Sequence, residues 1–348
     1  MSDDKENRRF WVGFDLGGTK MLAVVFDDRL REVARRRRKT RASEGEGVNL
    51  ERIAETILQA LELAKVAPAE VAGVGAGVPG PLDLQKGIVL EAPNLGWKNV
   101  GLQEFLSQRF NCPAVICNDV DAGVFGEYSA GAGQGYRGVL GVFPGTGIGG
   151  GFVYEGKIFR GSRSSCMEVG YLQMSADGPL AGAGPPGTLE GMASRLAISA
   201  EAAKAVFRGQ APHLKDLAGT DISNIRSSAL AKSIERGDRA IEKIVRRAAE
   251  VVGQGIGSLI NILAPDVVVL GGGLVEAMPK LYLDSVQTGI NRNVLPSLAG
   301  CARLKVSELG DLAAAVGAAA VVRGPREPEV LRKPKKRSPE ESAPAEAG

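Results

Sequence analysis

Residues 10–26 read Phe10-Trp11-Val12-Gly13-Phe14-Asp15-Leu16-Gly17-Gly18-Thr19-Lys20-Met21-Leu22-Ala23-Val24-Val25-Phe26. Two apolar, β-prone runs flank a short glycine-rich stretch, a pattern that predicts a β-hairpin with a glycine tip. The plan returns at residues 138–154. There Gly138-Val139-Leu140-Gly141-Val142-Phe143 leads through Pro144-Gly145-Thr146-Gly147-Ile148-Gly149-Gly150-Gly151 into Phe152-Val153-Tyr154. Two copies of one unit predict two related halves, each presenting a hairpin tip to a shared cleft. Glycine amides and a threonine hydroxyl in such tips are suited to holding phosphate.

Outward from the first hairpin, Asp27-Asp28 predicts a turn into a third strand ending in Arg35-Arg36-Arg37-Arg38-Lys39, read as a solvated strand edge. Residues 49–66 carry apolar side chains at helical spacing, with Asn49 in the cap position. A strand is expected over residues 71–78, a helix over 102–110 and a short buried strand over 114–117. Asn118-Asp119 follows that strand, where a carboxylate either serves chemistry at the carboxyl end of an α/β sheet or caps the helix from Val120. A long amphipathic helix through Ile241, Val245 and Val252 leads to Val267-Val268-Val269-Leu270 and a third glycine turn, Gly271-Gly272-Gly273.

The 348 residues carry 43 Lys and Arg against 40 Asp and Glu, a balance that gives no reason to expect nucleic acid. Four cysteines without a C-x-x-C pair, and no apolar leader or membrane span, fit a cytoplasmic protein. Gly75-x-Gly77-x-x-Gly80 and Gly145-x-Gly147-x-x-Gly150 match a dinucleotide fingerprint by spelling only. Pro79 and Pro81 interrupt the first, and the second runs into a strand.

These residues resemble the ROK proteins (repressors, open reading frames and sugar kinases) of the actin-like, hexokinase-like ATPase superfamily. The resemblance spans about residues 10–323. It rests on Asp15 to Lys20, Gly77-Val78-Pro79-Gly80-Pro81, Pro93-Asn94-Leu95-Gly96-Trp97, Asn118-Asp119, Gly145-Thr146-Gly147-Ile148-Gly149 and Gly271-Gly272-Gly273. It implies an α/β, two-lobed actin-like ATPase (ribonuclease H-like) fold with a duplicated lobe and a cleft. The expected division is a disordered N-terminus 1–9, a small lobe 10–118 completed by a helix at about 311–323, a large lobe 119–310 and a disordered tail 324–348.

The implied activity is transfer of phosphate from ATP, with Mg2+, to the 6-hydroxyl of a hexose, glucose first, by a homodimer. Other hexoses or N-acetylhexosamines, polyphosphate as donor, and a non-catalytic sugar-binding regulator are the alternatives. A regulator of this family carries an N-terminal DNA-binding domain, for which a first strand at Phe10 leaves no room. By resemblance Asp119 is the general base. Asn94, Asn118, Asp119, Glu168, Tyr171 and Glu190 bind sugar. Asp15, Gly17, Gly18, Thr19, Lys20, Gly145, Thr146, Gly147, Gly271 and Gly272 bind nucleotide, Asp15 also holding magnesium through water. The sequence departs from the family's sugar kinases where Tyr171 replaces a histidine and where Ala181-Gly182-Ala183-Gly184-Pro185-Pro186-Gly187 replaces a cysteine cluster. Both changes imply the absence of the family's zinc, which leaves Glu190 to be positioned by packing and Pro185-Pro186.

Overall fold

The computed structural model describes residues 10–162, 167–180 and 184–324. The expectations for 1–9 and 325–348, and the start of the cysteine-replacing segment at 181–183, lie outside the described residues.

The first half begins with β1 (Phe10–Leu16), β2 (Lys20–Phe26), β3 (Glu32–Lys39), α1 (Glu46–Ala64) and β4 (Val71–Val78). A small antiparallel sheet of β5 (Leu82–Asp83), β6 (Ile88–Ala92) and β7 (Trp97–Val100) follows, then α2 (Leu102–Phe110) and β8 (Ala114–Asn118). The chain continues through α3 (Asp119–Ala130), β9 (Gly138–Pro144), β10 (Ile148–Tyr154), β11 (Lys157–Ile158), α4 (Leu189–Ala193), α5 (Arg195–Phe207), α6 (Pro212–Ala218), α7 (Ser227–Glu235) and α8 (Arg239–Leu263). Last come β12 (Val267–Leu270), α9 (Gly273–Ala277), α10 (Pro279–Asn293), β13 (Arg303–Val306) and α11 (Ala313–Arg323).

The duplication is borne out strand by strand. One five-stranded sheet runs β3-β2-β1-β4-β8 and the other β11-β10-β9-β12-β13. In both, an antiparallel hairpin contributes its first strand to a parallel set. The central strands are apolar on both faces because helices cover both faces. On β2, Met21, Ala23 and Val25 pack with Ile53 and Ile57 of α1, while Leu22, Val24 and Phe26 pack with Ala315, Val316 and Ala319 of α11. On the second sheet, Val139, Val267 and Val269 face Val124 of α3, and Leu140, Val268 and Leu270 face the core built around α8. The basic run lies on the edge strand β3 as expected; Arg38 pairs with Glu55 and Arg37 with Asp311.

The helix expected from Asn49 starts earlier, at Glu46. Gly45 at φ 92° reverses the chain ahead of it, and Asn49, fully buried, donates through Nδ2 to the Gly45 carbonyl at 2.8 Å. It is an interior tie and not a cap.

Helices α3 and α11 meet backbone to backbone. A Cβ on Gly317 would lie 1.7 Å from the Ala122 carbonyl oxygen, and one on Gly126 would lie 2.2 Å from that of Ala313. On its other side α11 rests on glycines of the first sheet, where a Cβ at Gly13 or Gly75 would fall 1.9 Å from an α11 carbonyl. The fully buried Glu127 of α3 fixes the approach to α11. Its carboxylate accepts from the Ser307 hydroxyl at 2.5 Å and from the backbone N–H of Ala132, Glu308 and Leu309.

Candidate active site

The three glycine turns lie at the carboxyl ends of β1, β9 and β12. In the first, the Gly17 N–H donates to the Lys20 carbonyl at 3.0 Å. Thr40, buried just beyond β3, braces it: its hydroxyl donates to the Gly17 carbonyl at 2.6 Å and its N–H to that of Thr19 at 3.0 Å. Lys20 is held by Asp311 at 3.1 Å, which also takes Arg37. In the second turn, Gly145 N–H donates to the Gly147 carbonyl at 2.8 Å, and the Gly145 carbonyl accepts from Arg195 N–H at 2.9 Å. The Arg195 guanidinium also donates to the Thr146 hydroxyl at 2.9 Å. The third turn abuts the second: a Cβ on Gly272, at φ 84°, would lie 2.7 Å from the Pro144 carbonyl oxygen. Gly271 is buried against Phe143, whereas Gly273 is exposed.

Two carboxylates flank Gly77. Asp15 on β1 pairs in register with Gly77 of β4, and a Cβ on Gly77 would stand 3.5 Å from Asp119 Cα. Burial, then the neighbouring Asp119, raise the Asp15 pKa to about 7, while Lys20 and Arg37 oppose the rise. Burial also lifts Asp119 above the ordinary carboxylate value. The N-cap of α3 is Asn118. Its Oδ1 accepts from Val120 N–H at 2.9 Å and Asp121 N–H at 3.2 Å, while Asp119 Oδ1 shares the Val120 N–H at 3.0 Å.

Of the expected sugar-side residues, Asn94 sits on the turn Pro93–Leu95 beside the first glycine loop; its Cβ would be 3.1 Å from one on Gly18. Glu190, in the first turn of α4, accepts from Ile148 N–H at 2.8 Å, and a Cβ on Gly147 would lie 2.2 Å from the Glu190 carboxylate. Glu168 and Tyr171 are exposed at the two ends of the turn around Val169, joined by the Tyr171 N–H to the Glu168 carbonyl at 2.9 Å. An isolated bridge between Gln173 and Thr188 brings this turn to α4. Gln173 also donates to the Pro186 carbonyl at 2.6 Å, tying down the proline segment.

Thr40, Arg195, Gln173 and Asp121 escaped the sequence reading. Asp121 is buried two residues beyond the candidate base, in the same first turn of α3, and its pKa rises to about 6, chiefly from burial, with Glu168 and Asp119 adding and Arg160 opposing. The Asn118-Asp119-x-Asp121 spacing was its only signal. The others are recruited from distant segments. A cavity of about 840 Å³ opens between Thr19 of the first loop, Arg195, Arg226 and Gly273 of the third. Among the described residues no group of three or more His, Cys, Asp or Glu could hold a metal by itself, and no helix is long and apolar enough to cross a membrane.

Residues 11–324 match the ROK family over nearly all of the described chain. The chain belongs to the ROK family. Glucokinase of Thermotoga maritima is 30% identical over 313 residues, covering 90% of this chain and 96% of that one. A xylose repressor of Caldicellulosiruptor bescii is 29% identical over 268 residues, covering 77% of this chain; the match spans 66% of the repressor's length. The crystal structure of a ROK family glucokinase from Streptomyces griseus in complex with glucose and AMPPNP superposes with a TM-score of 0.78 at 29% identity, covering 90% of this chain and 99% of that one. The fold is thus the duplicated, actin-like ATPase fold of the ROK sugar kinases.

Proposed function

We propose that this ROK protein is an ATP-dependent sugar kinase that transfers the γ-phosphoryl group to the 6-hydroxyl of a hexose, with glucose as the expected acceptor. The observation that carries the reading is the pair of carboxylates around Gly77, Asp15 beside the first glycine loop and Asp119 at the start of α3. The glucokinase relatives that align end to end support it. The division into a half of residues 10–118 plus α11 and a half of residues 119–310, with acceptor and donor meeting between them, belongs to the same reading.

Asp119 takes the proton from the attacking hydroxyl; a carboxylate whose pKa burial has raised is a stronger base than an exposed one. Asn94, Asn118, Glu168, Tyr171 and Glu190 orient the sugar through its other hydroxyls. The glycine loops around Gly17, Thr146 and Gly272 hold the nucleotide by backbone amides and hydroxyls. Asp15 fits magnesium held through water, since a hard oxygen donor beside a second carboxylate lacks a full counter-charge. Bound there, magnesium neutralises phosphate charge.

The test is phosphate transfer to a panel of glucose, other hexoses and N-acetylhexosamines, with ATP or polyphosphate as donor. Turnover on a hexose at the 6-position supports the proposal. The repressor relative keeps a second reading in view, a sugar-responsive regulator. Tight hexose binding with no transfer from either donor would favour it and overturn the kinase.

A further inference from the structure

Arg195 and Arg226 both line the 840 Å³ cavity, and among the described residues no ion pair joins either to a carboxylate. The Arg195 fork lies 3.5 Å from the Ile225 carbonyl, next in sequence to Arg226, and both arginines border the same cavity. Burial and the charge of Arg226 pull the Arg195 pKa below its ordinary value, the mark of a site short of negative charge. Glu276, the acid bordering the same cavity, makes no ion pair with either arginine, and burial, then Asp311, raise its pKa. Thr146 adds direction. Its hydroxyl accepts from Arg195, which cannot accept in return, so the threonine proton is left to donate elsewhere.

We propose that Arg195 and Arg226 form a clamp for a condensed phosphate chain. Arg195, anchored on the second glycine loop, holds the terminal phosphates together with the Thr146 hydroxyl, and Arg226 holds the chain beside it. The planar fork of arginine suits bidentate phosphate contact, and each charge-assisted bond is stronger than a neutral one. The donor is then selected by its phosphates more than by its base. The inference rests on the kinase reading for the chain's role as donor, but binding tests it without any sugar.

Calorimetric titration of the full chain with adenosine, AMP, ADP and inorganic tripolyphosphate, without sugar, provides the test. In the wild type, affinity should climb from adenosine to ADP. Arg195→Ala and Arg226→Ala should each weaken ADP by ten- to a hundredfold and leave adenosine within twofold, while Arg195→Lys should lose less than Arg195→Ala. Tripolyphosphate binding that both alanine variants abolish would extend the clamp to inorganic chains. Its absence, with ADP still weakened, would confine the clamp to nucleotides. ADP affinity unchanged in both alanine variants overturns the proposal. So does an equal loss of adenosine and ADP, which marks general damage to the pocket; Arg226, exposed at the surface, guards against a folding artefact at Arg195. Failure to phosphorylate any hexose while the ADP effect persists overturns the kinase reading alone.

Discussion

Glu190 accepts a hydrogen bond from the backbone N–H of Ile148 at 2.8 Å, so a residue expected at the sugar is also a strut of the second glycine loop. On the proposed reading, sugar and phosphate sites therefore share one carboxylate. Glu190→Gln keeps an acceptor for that N–H, whereas Glu190→Ala removes it. The alanine variant should raise KM for both hexose and ATP, the glutamine variant chiefly that for hexose, each by roughly tenfold as expected for one charged hydrogen bond. Steady-state kinetics with each substrate varied in turn will show whether the two effects separate.

Asp119→Asn preserves shape and the contact to the Val120 N–H but removes the proposed base. Turnover should fall by roughly 10²- to 10⁴-fold, with ADP affinity unchanged. Near-normal kcat would reduce Asp119 to a partner of Asn118 in capping α3.

Asp121 predicts a pH dependence. Its folded pKa of about 6 lies above that of an unfolded aspartate, so the folded chain binds the extra proton and the stability Asp121 contributes falls as pH rises from about 4 to 6; Asp15, at about 7, carries the decline further. Asp121→Asn should remove its share, leaving a shallower limb between pH 4 and 6, and add ~1–3 kcal/mol at pH 7. Urea midpoints measured between pH 4 and 8 will give both the slope and its loss.

At Gly317 there is no space for a methyl group. Gly317→Ala should cost ~3 kcal/mol or more, because it must push α11 off the Ala122 carbonyl. Gly47→Ala, in α1 with nothing within 4 Å of its Cβ, is the control and should gain ~0.5–1 kcal/mol. A melting experiment that ranks the two alike would contradict the packing.

Chelation should abolish phosphate transfer and added magnesium should restore it. Elemental analysis should find no stoichiometric zinc in the purified chain, and Tyr171→His should change hexose affinity without creating a zinc site. One zinc per chain would reverse the inference drawn from the missing cysteines.

The features legible in the sequence are those that local chain encodes. Hairpin tips such as residues 16–20 and 144–148 are contiguous, and Asn118-Asp119 sits at a strand end that its neighbours announce. What escaped is assembled from afar. Thr40 reaches Gly17 across 23 positions, and Arg195 reaches Thr146 across 49. Nothing in the spelling around Ser194-Arg195 shows that this arginine reaches the second glycine loop, because the threonine it meets lies far back in the chain. The misplaced start of α1 has a local cause: Asn49 looks like a cap by residue type, but Gly45 had already turned the chain.

Helix α11 has a temporal consequence. It supplies one face of the sheet that begins at Phe10, and the acid of Glu127 meets Ser307 and Leu309 about 180 positions further along. On a ribosome, the first half is finished long before its cover exists. Leu22, Val24 and Phe26 stay bare and one Glu127 oxygen lacks its partners Ser307 and Leu309 until the last elements emerge. Such closure, made across most of the chain, is slow and exposes strands meanwhile. A nascent chain stalled before residue 313 would thus display a sticky, half-built sheet, the species a chaperone would meet first.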